Sequence, residues 1–362
     1  MMFEEGNRLR AKYGADKVFD FSLGNPATPA PEAVKEAIKR ILDEKDPMFV
    51  HGYMDNSGYE DVRQAVADNL NHRFDTHFDF HNIIMTVGAA GGLNIIFKTI
   101  LDPGDEVLVF APYFGEYNSY AANFDAKTVA VHPDPETFQP DLGDFAAKFT
   151  EKTKAVIINT PNNPTGVVYS DATLKAIADI LKEKQKAYKK EIYLVSDEPY
   201  RELVYDGQKE NFLTKYYENT IVGYSFSKSL SLPGERIGYV VVPNEVADAD
   251  TVIAGINVSN RTLGFVNAPS LIQLAVAECL EEKTDVAYYD KNRTRLYEAL
   301  TGYGYTCIKP EGAFYMWVKS PDEDEDRFVE QAKKYHLILV KGGAFCWPGY
   351  VRIAYCVSYD TI

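Results

Sequence analysis

A lysine flanked by small hydroxyl residues, with an arginine soon after it, is the feature of this sequence that most directly suggests chemistry. Lys228 lies in the segment 225–229, SFSKS, and Arg236 follows eight positions later, close to Gly238. A lysine amine can form an imine with an aldehyde, and an arginine can hold a phosphate through two parallel hydrogen bonds. The pair therefore indicates a small molecule with both groups, and pyridoxal phosphate (PLP) is such a molecule.

An acidic residue and a tyrosine follow another apolar run. Asp197 comes directly after the predicted strand 192–196, and Tyr200 lies three residues further on. Side chains at the carboxyl ends of strands line the ligand crevice of open α/β sheets. A carboxylate there can keep a pyridine nitrogen protonated, which makes the ring an electron sink, and the tyrosine can reach the phenolic oxygen of the ring. A helix cap next to a core tyrosine is the alternative interpretation of this motif alone.

Two more segments after predicted strands could contact the same ring. The octapeptide 159–166, NTPNNPTG, contains Asn163, whose amide can donate to the phenolic oxygen or to a substrate carboxylate. The segment 110–114, FAPYF, ends in Phe114, an aromatic side chain that could stack on a flat cofactor. A plain turn and a core aromatic are the alternatives, although the octapeptide is more elaborate than a turn requires.

The sequence also contains candidate partners for the anionic groups of a ligand, namely a phosphate and a carboxylate. The run 87–93, VGAAGGL, leads from a strand into a helix through small residues, and bare amides at a helix N-terminus bind phosphate. Arg352 stands in an otherwise apolar strand, where an unpaired charge is costly to bury. A substrate carboxylate would satisfy this arginine through two hydrogen bonds, and an internal Asp or Glu partner is the alternative.

The composition narrows the class of protein. The 362 residues fit one large or two moderate domains, and 38 Lys and Arg against 53 Asp and Glu give a net charge of −15. This balance argues against nucleic acid and against an anionic membrane surface as partners. The four cysteines form no CxxC pair or zinc-type spacing, and residues 1–10 contain no apolar signal core. We therefore expect a cytoplasmic protein without a metal site.

The pattern of apolar residues changes along the chain. Between residues 80 and 245, short β-branched runs alternate with helical patterns, which predicts a mainly parallel sheet covered by helices on both faces. The strands are expected at 83–87, 106–110, 155–159, 192–196, 220–224 and 237–241, and helices at 60–71, 90–100, 171–187 and 269–282. Beyond residue 300, strands at 306–309, 314–319, 338–340 and 351–356 surround a helix at 327–335, which predicts a smaller α+β domain.

These six motifs, in this order, resemble those of the class I and II aminotransferases, the aspartate aminotransferase-like enzymes of PLP fold type I. The resemblance covers nearly the whole chain. It implies an α/β fold with a mainly parallel seven-stranded sheet sandwiched by helices, and a smaller α+β domain. It also implies a large PLP-binding domain over 25–265 and a small domain formed by 1–24 and 266–362.

The resemblance implies roles for the residues around the cofactor ring. Lys228 would bind pyridoxal 5′-phosphate as an imine and shuttle the proton, and Asp197 would pair with the pyridine nitrogen. Tyr200 and Asn163 would contact the phenolic oxygen. Phe114 would stack on the ring.

The resemblance also implies contacts to the phosphate, to the substrate and to a second subunit. The residues implied for the phosphate are Ala89, Ala90, Ser225 and Arg236. Arg352, helped by Gly24, would bind the α-carboxylate of the substrate. Tyr53 matches a tyrosine that reaches the cofactor phosphate of the neighbouring subunit, which implies a homodimer with shared active sites.

The activity implied is transamination between an L-amino acid and a 2-oxo acid in two half-reactions. Aspartate is the favoured donor and 2-oxoglutarate the favoured acceptor, with aromatic or broad donors as alternatives. Arg261 lies near the place where some relatives bind a dicarboxylic side chain, and Lys341 could face substrate; a surface position is the alternative for both. Two other functions stay open, a PLP-dependent C–S β-lyase and, with less support from this acidic chain, a non-catalytic PLP-binding regulator.

Overall fold

A seven-stranded sheet forms the centre of the structure, a computed structural model that describes residues 2–362, except for the side chains of 2–5 and 322. The strands among these residues are β1 (Phe19–Asp20), β2 (Ile83–Thr86), β3 (Glu106–Phe110), β4 (Lys127–Val131), β5 (Thr153–Ile158), β6 (Tyr193–Asp197), β7 (Thr220–Ser225), β8 (Gly238–Val241), β9 (Tyr315–Lys319), β10 (Leu337–Ile338), β11 (Val340–Lys341) and β12 (Tyr350–Ala354). The large sheet has the order β2-β8-β7-β6-β5-β3-β4. Only β8 runs antiparallel to its neighbours, β2 and β7.

This topology brings distant motifs to one edge of the sheet. Strands β3, β5, β6 and β7 are mutually parallel, so the segments that follow them leave the sheet at the same edge. Strand β8 runs the other way and begins at that edge, directly after the loop that contains Arg236. The carboxyl edge of the sheet is therefore where the predicted site residues should meet.

Helices cover both faces of the sheet. Those among the described residues are α1 (Met2–Tyr13), α2 (Glu32–Glu44), α3 (Pro47–His51), α4 (Glu60–Phe74), α5 (Gly88–Ile100), α6 (Glu116–Ala122), α7 (Leu142–Lys148), α8 (Asp171–Tyr188), α9 (Phe226–Ser229), α10 (Ala249–Thr262), α11 (Ser270–Ala277), α12 (Val286–Gly302) and α13 (Glu325–Lys334). None of them has the length and apolar character needed to cross a bilayer.

Helix α8 shows how the sequence sets these elements. The Ser170 side chain accepts a hydrogen bond from the Thr173 backbone at 3.0 Å and so caps the first turn. The apolar face places Leu174, Ile177 and Leu181 in the core. The helix ends at Tyr188, and the left-handed backbone of the next residue, Lys189 (φ 53°), stops further helical hydrogen bonding.

A smaller antiparallel sheet with the order β11-β12-β9 is built from the C-terminal part of the chain. Arg352 lies on β12, opposite Trp317 of β9. The N-terminal segment joins this region, because β1 pairs with β10 and the Phe21 carbonyl accepts from the Ala354 backbone at 2.9 Å. This pairing fixes the chain up to Phe21, so that Gly24, three residues later, lies at the carboxyl edge of the large sheet.

Most of the predicted elements lie where the sequence indicates, and the predicted α/β fold class with a mainly parallel seven-stranded sheet is confirmed. Three local predictions are wrong. Residues 306–309 form only a single bridge, Cys307 with Val318, on the edge of β9 that faces away from β12, and not a continuous strand. The helix predicted at 269–282 ends at Ala277. The strand predicted at 338–340 divides, since β10 pairs with β1 whereas β11 pairs with β12.

The predicted boundaries of the two domains stay a prediction. Helix α11 falls within the segment 266–362 that the sequence assigns to the small domain. Its residues Ile272 and Val276 nevertheless share a buried apolar cluster with Ile83 and Met85 of β2. The apolar core of the large sheet thus includes residues from both predicted segments.

Candidate active site

One cavity of about 340 Å³ lies at the carboxyl edge of the large sheet. Eleven of the twelve predicted site residues line it, namely Gly24, Ala89, Ala90, Phe114, Asn163, Asp197, Tyr200, Ser225, Lys228, Arg236 and Arg352. The twelfth, Tyr53, does not. The convergence follows from the shared edge of the parallel strands, and it places an amine, a carboxylate and two guanidinium groups around one space.

Lys228 is held by a single turn of helix. The Ser225 side chain accepts a hydrogen bond from the Ser227 backbone at 3.2 Å, which caps the four-residue helix α9 at its start. The Lys228 Nζ donates to the Gly24 carbonyl and lies 5.5 Å from the centre of the Phe314 ring. Burial lowers the Lys228 pKa to about 8, so roughly a tenth of the amine is neutral at pH 7 and available as a nucleophile or base.

Asp197 ends β6 with one carboxylate oxygen bonded and one free. Its Oδ2 accepts a hydrogen bond from the Tyr117 hydroxyl at 2.5 Å. Its Oδ1 is buried and has no hydrogen-bond partner among the described residues. Burial raises the Asp197 pKa to about 7. A protonated ring nitrogen in the cavity would give Oδ1 a partner and would stabilise the carboxylate form.

Arg352 has neutral partners. Its Nη1 donates to the Asn163 Oδ1 at 2.8 Å and its Nη2 donates to the Ser22 carbonyl at 2.6 Å. Its Nε is buried without a hydrogen-bond partner among the described residues. Within the described part of the chain, these contacts are to an amide and a carbonyl and not to a carboxylate. The positive charge can therefore attract an anion from the cavity.

The part of the cavity lined by Ala89, Ala90 and Arg236 is suited to a phosphate. Helix α5 begins at Gly88, so Ala89 and Ala90 lie in its first turn, where backbone amides lack helical partners. Gly88 has φ +67°, and a Cβ there would lie 2.9 Å from the Arg236 Nη2. Glycine at this position therefore lets the Arg236 guanidinium approach the start of the helix. Its Nη1 donates to the Pro233 carbonyl at 3.0 Å, which directs the side chain.

Two polar side chains and one aromatic ring also line the cavity. The Tyr200 hydroxyl lies 2.9 Å from the Tyr315 hydroxyl. The Asn163 backbone donates to the Asn159 Oδ1 at 2.8 Å, and since the Asn163 Oδ1 already accepts from arginine, its Nδ2 is left to donate into the cavity. Phe114 is half-buried, with its ring 5.7 Å from the Tyr117 ring in an edge arrangement.

Three residues that the sequence suggests as possible cofactor or substrate contacts lie outside this cavity. Tyr53 is 95% exposed, and its predicted contact with a neighbouring subunit stays a prediction. Arg261 is exposed near the end of α10. Lys341 is exposed and forms an ion pair with Asp326, which fits the surface alternative.

Several cavity residues were missed by the sequence reasoning. Tyr117 is three positions after Phe114, a spacing that places both on one side of a helical turn, and this could have revealed it. Asn159 opens the octapeptide and links two strand ends, since its Nδ2 donates to the Asp197 carbonyl at 2.9 Å. No local sequence pattern indicates Tyr315 as a cavity residue, because only the pairing of β9 with β12 places it near the cavity. Among the described residues, no group of three or more His, Cys, Asp and Glu could hold a metal ion.

Comparison with known proteins decides which family uses this arrangement. The profile of the aminotransferases of class I and II matches residues 16–362. This chain belongs to the class I and II aminotransferases. The predicted resemblance is thereby confirmed, and the chain is an enzyme of the aminotransferase type.

Individual relatives of this aminotransferase cover almost all of it. An aspartate aminotransferase from Pyrococcus horikoshii is 30% identical over 100% of this chain and 90% of its own length. A probable aspartate/prephenate aminotransferase from Aquifex aeolicus is 33% identical over 99% of this chain and 91% of its own. The crystal structure of an aminotransferase from Eubacterium rectale has 45% identity and a TM-score of 0.97, covering 99% of this chain and 91% of that one.

Replacing Gly24 with alanine is expected to impair the aminotransferase without unfolding it. The new Cβ would overlap the Tyr315 hydroxyl, so this buried ring or the 22–24 segment must move, at a cost on the order of 1–3 kcal/mol. Because the Gly24 carbonyl accepts from Lys228, we expect kcat/KM to fall about tenfold or more. Gly302→Ala is the control, since nothing lies within 4 Å of its added Cβ, and full activity of Gly24→Ala would contradict the prediction.

Proposed function

We propose that this aminotransferase is a PLP-dependent amino-acid transaminase that favours aspartate as donor and a 2-oxo acid such as 2-oxoglutarate as acceptor. The observation that carries the proposal is the cavity itself, where Lys228, Asp197 and Arg352 face the same space. Each has a chemical group left for a ligand. Among the described residues, these groups are a partly neutral amine, a carboxylate oxygen without a partner and a guanidinium group without an acidic partner.

The residues present fit pyridoxal phosphate. The free Oδ1 of Asp197 would accept from the protonated ring nitrogen, and Tyr200 with Asn163 would donate to the phenolic oxygen. The first turn of α5, with Arg236 beside Gly88, would bind the phosphate. When bound, the protonated ring supplies an electron sink that makes the α-proton of an amino acid removable.

The protein's own residues would then position the substrate and move one proton. Arg352 would bind the α-carboxylate, which directs the Cα–H bond of the donor toward the Lys228 Nζ. The Lys228 Nζ would remove that proton as a base and return it as an acid. Its lowered pKa suits this exchange, because an amine with a pKa of about 8 both gains and loses a proton near neutral pH. The Gly24 carbonyl, which accepts from Nζ, would orient the amine.

Aspartate as donor is supported by two relatives, whose names specify aspartate or aspartate and prephenate. Aspartate has a second, side-chain carboxylate, which would also need a partner in the cavity. Among the described residues that line it, the basic side chains are Lys228, Arg236 and Arg352, and each already has a proposed partner. A dicarboxylic donor would therefore need a cation or hydrogen-bond donors from beyond this chain's cavity, whereas an aromatic donor would not.

A homodimer with shared sites is part of the proposal. Tyr53 (95% exposed), Met48 (81%) and Val258 (61%) are large side chains exposed on this chain. Exposed apolar side chains of this size favour contact with another protein surface. The four cysteines are unpaired in the structure, which is in keeping with a reducing, cytoplasmic location.

A panel of amino donors tests the proposal. The purified enzyme, loaded with PLP, is offered aspartate, tyrosine, phenylalanine, alanine or cystathionine, with 2-oxoglutarate as acceptor. We expect glutamate to form at the highest kcat/KM from aspartate, with no release of ammonia. Ammonia and pyruvate from cystathionine, without glutamate, would instead indicate a β-lyase, and a preference for tyrosine would replace aspartate by an aromatic donor.

Replacing Arg352 with lysine is expected to weaken substrate binding selectively. Lysine keeps the charge but cannot bind a carboxylate through two parallel hydrogen bonds, so KM for the amino donor should rise about 10- to 100-fold. Affinity for PLP should change little, because Arg352 lies at the other end of the cavity from Arg236 in the proposed arrangement. Arg295→Lys, on the exposed side of α12, is the matched control. An unchanged KM in Arg352→Lys would contradict the assigned carboxylate site.

A further inference from the structure

Two tyrosine hydroxyls lie next to each other in the cavity, and only one of them was predicted. Tyr315, the first residue of β9, is 2% exposed, and its hydroxyl lies 2.9 Å from the hydroxyl of Tyr200. Both side chains line the cavity with Lys228. Either oxygen could be the donor, so the direction of this hydrogen bond decides where the Tyr200 proton points.

The Tyr315 ring has little freedom to move. The guanidinium carbon of Arg352 lies 4.3 Å from the ring centre. On another side the ring approaches Gly24 so closely that a Cβ there would lie 3.0 Å from the Tyr315 Cζ. The Tyr200 ring meets it edge-on, with centres 5.7 Å apart. These contacts hold the Tyr315 hydroxyl at a fixed position beside Tyr200.

The surroundings favour one direction for the hydrogen bond. The nearby Arg352 guanidinium has only donors, so it cannot accept the Tyr315 proton. Among the described residues, the hydrogen-bond partner of the Tyr315 hydroxyl is Tyr200. Both tyrosines line the cavity, but Tyr315 is the more deeply buried of the two, at 2% exposed against 6% for Tyr200. Donation to Tyr200 therefore gives the less accessible hydroxyl a buried acceptor, which is the more favourable arrangement. With Tyr315 as donor, the Tyr200 proton is free to point at a ligand in the cavity.

We propose that Tyr315 is a positioning residue that donates to Tyr200 and thereby directs the Tyr200 hydroxyl toward the phenolic oxygen of the cofactor. The inference rests on the proposed function, because it requires PLP in this cavity. A hydroxyl that accepts one hydrogen bond becomes a better donor in the next, so the chain from Tyr315 through Tyr200 strengthens the contact with the phenolic oxygen. Tyr315 acts only through Tyr200 in this arrangement.

Charged and titratable groups from several elements face this pair, and they affect any pH measurement. They are Arg352 on β12, Cys356 after β12, Asp197 at the end of β6 and Lys228 on α9. All four remain in place when only a tyrosine hydroxyl is removed. A comparison of phenylalanine variants therefore keeps their contributions constant.

The test measures the pH midpoint of the visible absorption change in the PLP-loaded enzyme. A donor at the phenolic oxygen lowers the proton affinity of the adjacent lysine–cofactor nitrogen, so loss of the donor raises the midpoint. We expect Tyr200→Phe to raise it by about one pH unit, the equivalent of one hydrogen bond to a charged group. Tyr315→Phe should raise it by a few tenths of a unit, since it only weakens the Tyr200 donor.

A matched variant controls for the loss of a buried hydroxyl. Tyr217 is buried just before the start of β7, at the edge of the sheet opposite the cavity, and its hydroxyl donates to the Ile192 carbonyl at 2.8 Å. Tyr217→Phe should leave the absorption midpoint unchanged. Circular dichroism of all variants establishes that they are folded. A midpoint shift in Tyr217→Phe as large as that in Tyr315→Phe would overturn the inference, because the shift would then reflect a general change in packing.

The direction of the midpoint shift in each variant distinguishes failure of this inference from failure of the proposed function. A downward shift or no shift in Tyr315→Phe, with an upward shift in Tyr200→Phe, would overturn the inference and leave the proposed function standing. No shift in Tyr200→Phe would overturn both the inference and the assigned contact of Tyr200. In the double variant, the effect of Tyr315→Phe should disappear, because Tyr200 is no longer there to pass it on. An effect that persists would show that Tyr315 does not act through Tyr200.

Discussion

Lys228→Ala is expected to abolish transamination by this enzyme, with kcat reduced by about 10⁴-fold or more. In the proposed function, this one change removes both the amine that would bind the cofactor and the base that would move the α-proton. Because Lys228 lies on a single turn capped by Ser225, and its Nζ donates to the Gly24 carbonyl rather than to a core ion pair, the fold should survive. Formation of glutamate from aspartate and 2-oxoglutarate, followed over many turnovers, measures the loss.

Two further lysine variants make this result specific. Lys228→Arg keeps a positive charge in the cavity but no nucleophilic amine, so it should be as inactive as the alanine variant. Lys341→Ala removes an exposed lysine that is ion-paired with Asp326, and it should retain full activity. Multiple turnovers by Lys228→Ala at more than a small fraction of the wild-type rate would refute the assigned role.

The sequence was informative wherever function requires a particular residue after a strand. The segments containing Phe114, Asn163, Asp197 and Lys228 each follow an apolar run, and parallel strands bring their carboxyl ends to one edge. Chemistry restricts such positions to a few residue types, and local spacing reveals them. For this reason all four lie in one cavity, as expected from the sequence alone.

Positions fixed by long-range packing were not accessible in the same way. Strand β4 has only one buried residue, Val131, so it lacks the apolar run that marks a central strand. Tyr315 lies 115 positions from Tyr200 in the sequence, and nothing local indicates that their hydroxyls meet. The hydrogen bond from Tyr117 to Asp197 spans 80 positions. Residues such as Tyr117 and Tyr315, which hydrogen-bond to site residues, therefore depend on the tertiary structure for their position, and a single sequence does not reveal them.

Asp197 illustrates a conflict between folding and function that leads to a second large effect. Burial raises its pKa from 3.8 to about 7, so ionised Asp197 is unfavourable in the folded protein without a cationic partner. A group with a raised pKa in the folded state contributes most to stability below its unfolded pKa, and that contribution is lost as pH rises through about 7. The apoenzyme should therefore carry an uncompensated buried charge above neutral pH, which a protonated ring nitrogen would neutralise.

Asp197→Asn is accordingly expected to reduce kcat on the order of 10³-fold while making the apoenzyme more stable at high pH. The neutral amide cannot stabilise a protonated ring, but it also removes the buried charge. The free energy of unfolding of the apoenzyme at pH 8 should rise by as much as a few kcal/mol relative to wild type. At pH 4 the two should converge, because Asp197 is then neutral in the folded protein. Urea unfolding at both pH values measures the difference.

The exposed residue Asp171 provides the control for this comparison. It is ion-paired with Lys175 on the surface of α8, and its pKa is lowered mainly by the hydrogen bond from that lysine. Asp171→Asn should therefore leave kcat unchanged and should not stabilise the apoenzyme at pH 8. If Asp197→Asn were no more stable than wild type at pH 8, the buried carboxylate would not be charged in the apoenzyme. If it also kept full activity, the pairing of Asp197 with the ring nitrogen would be wrong.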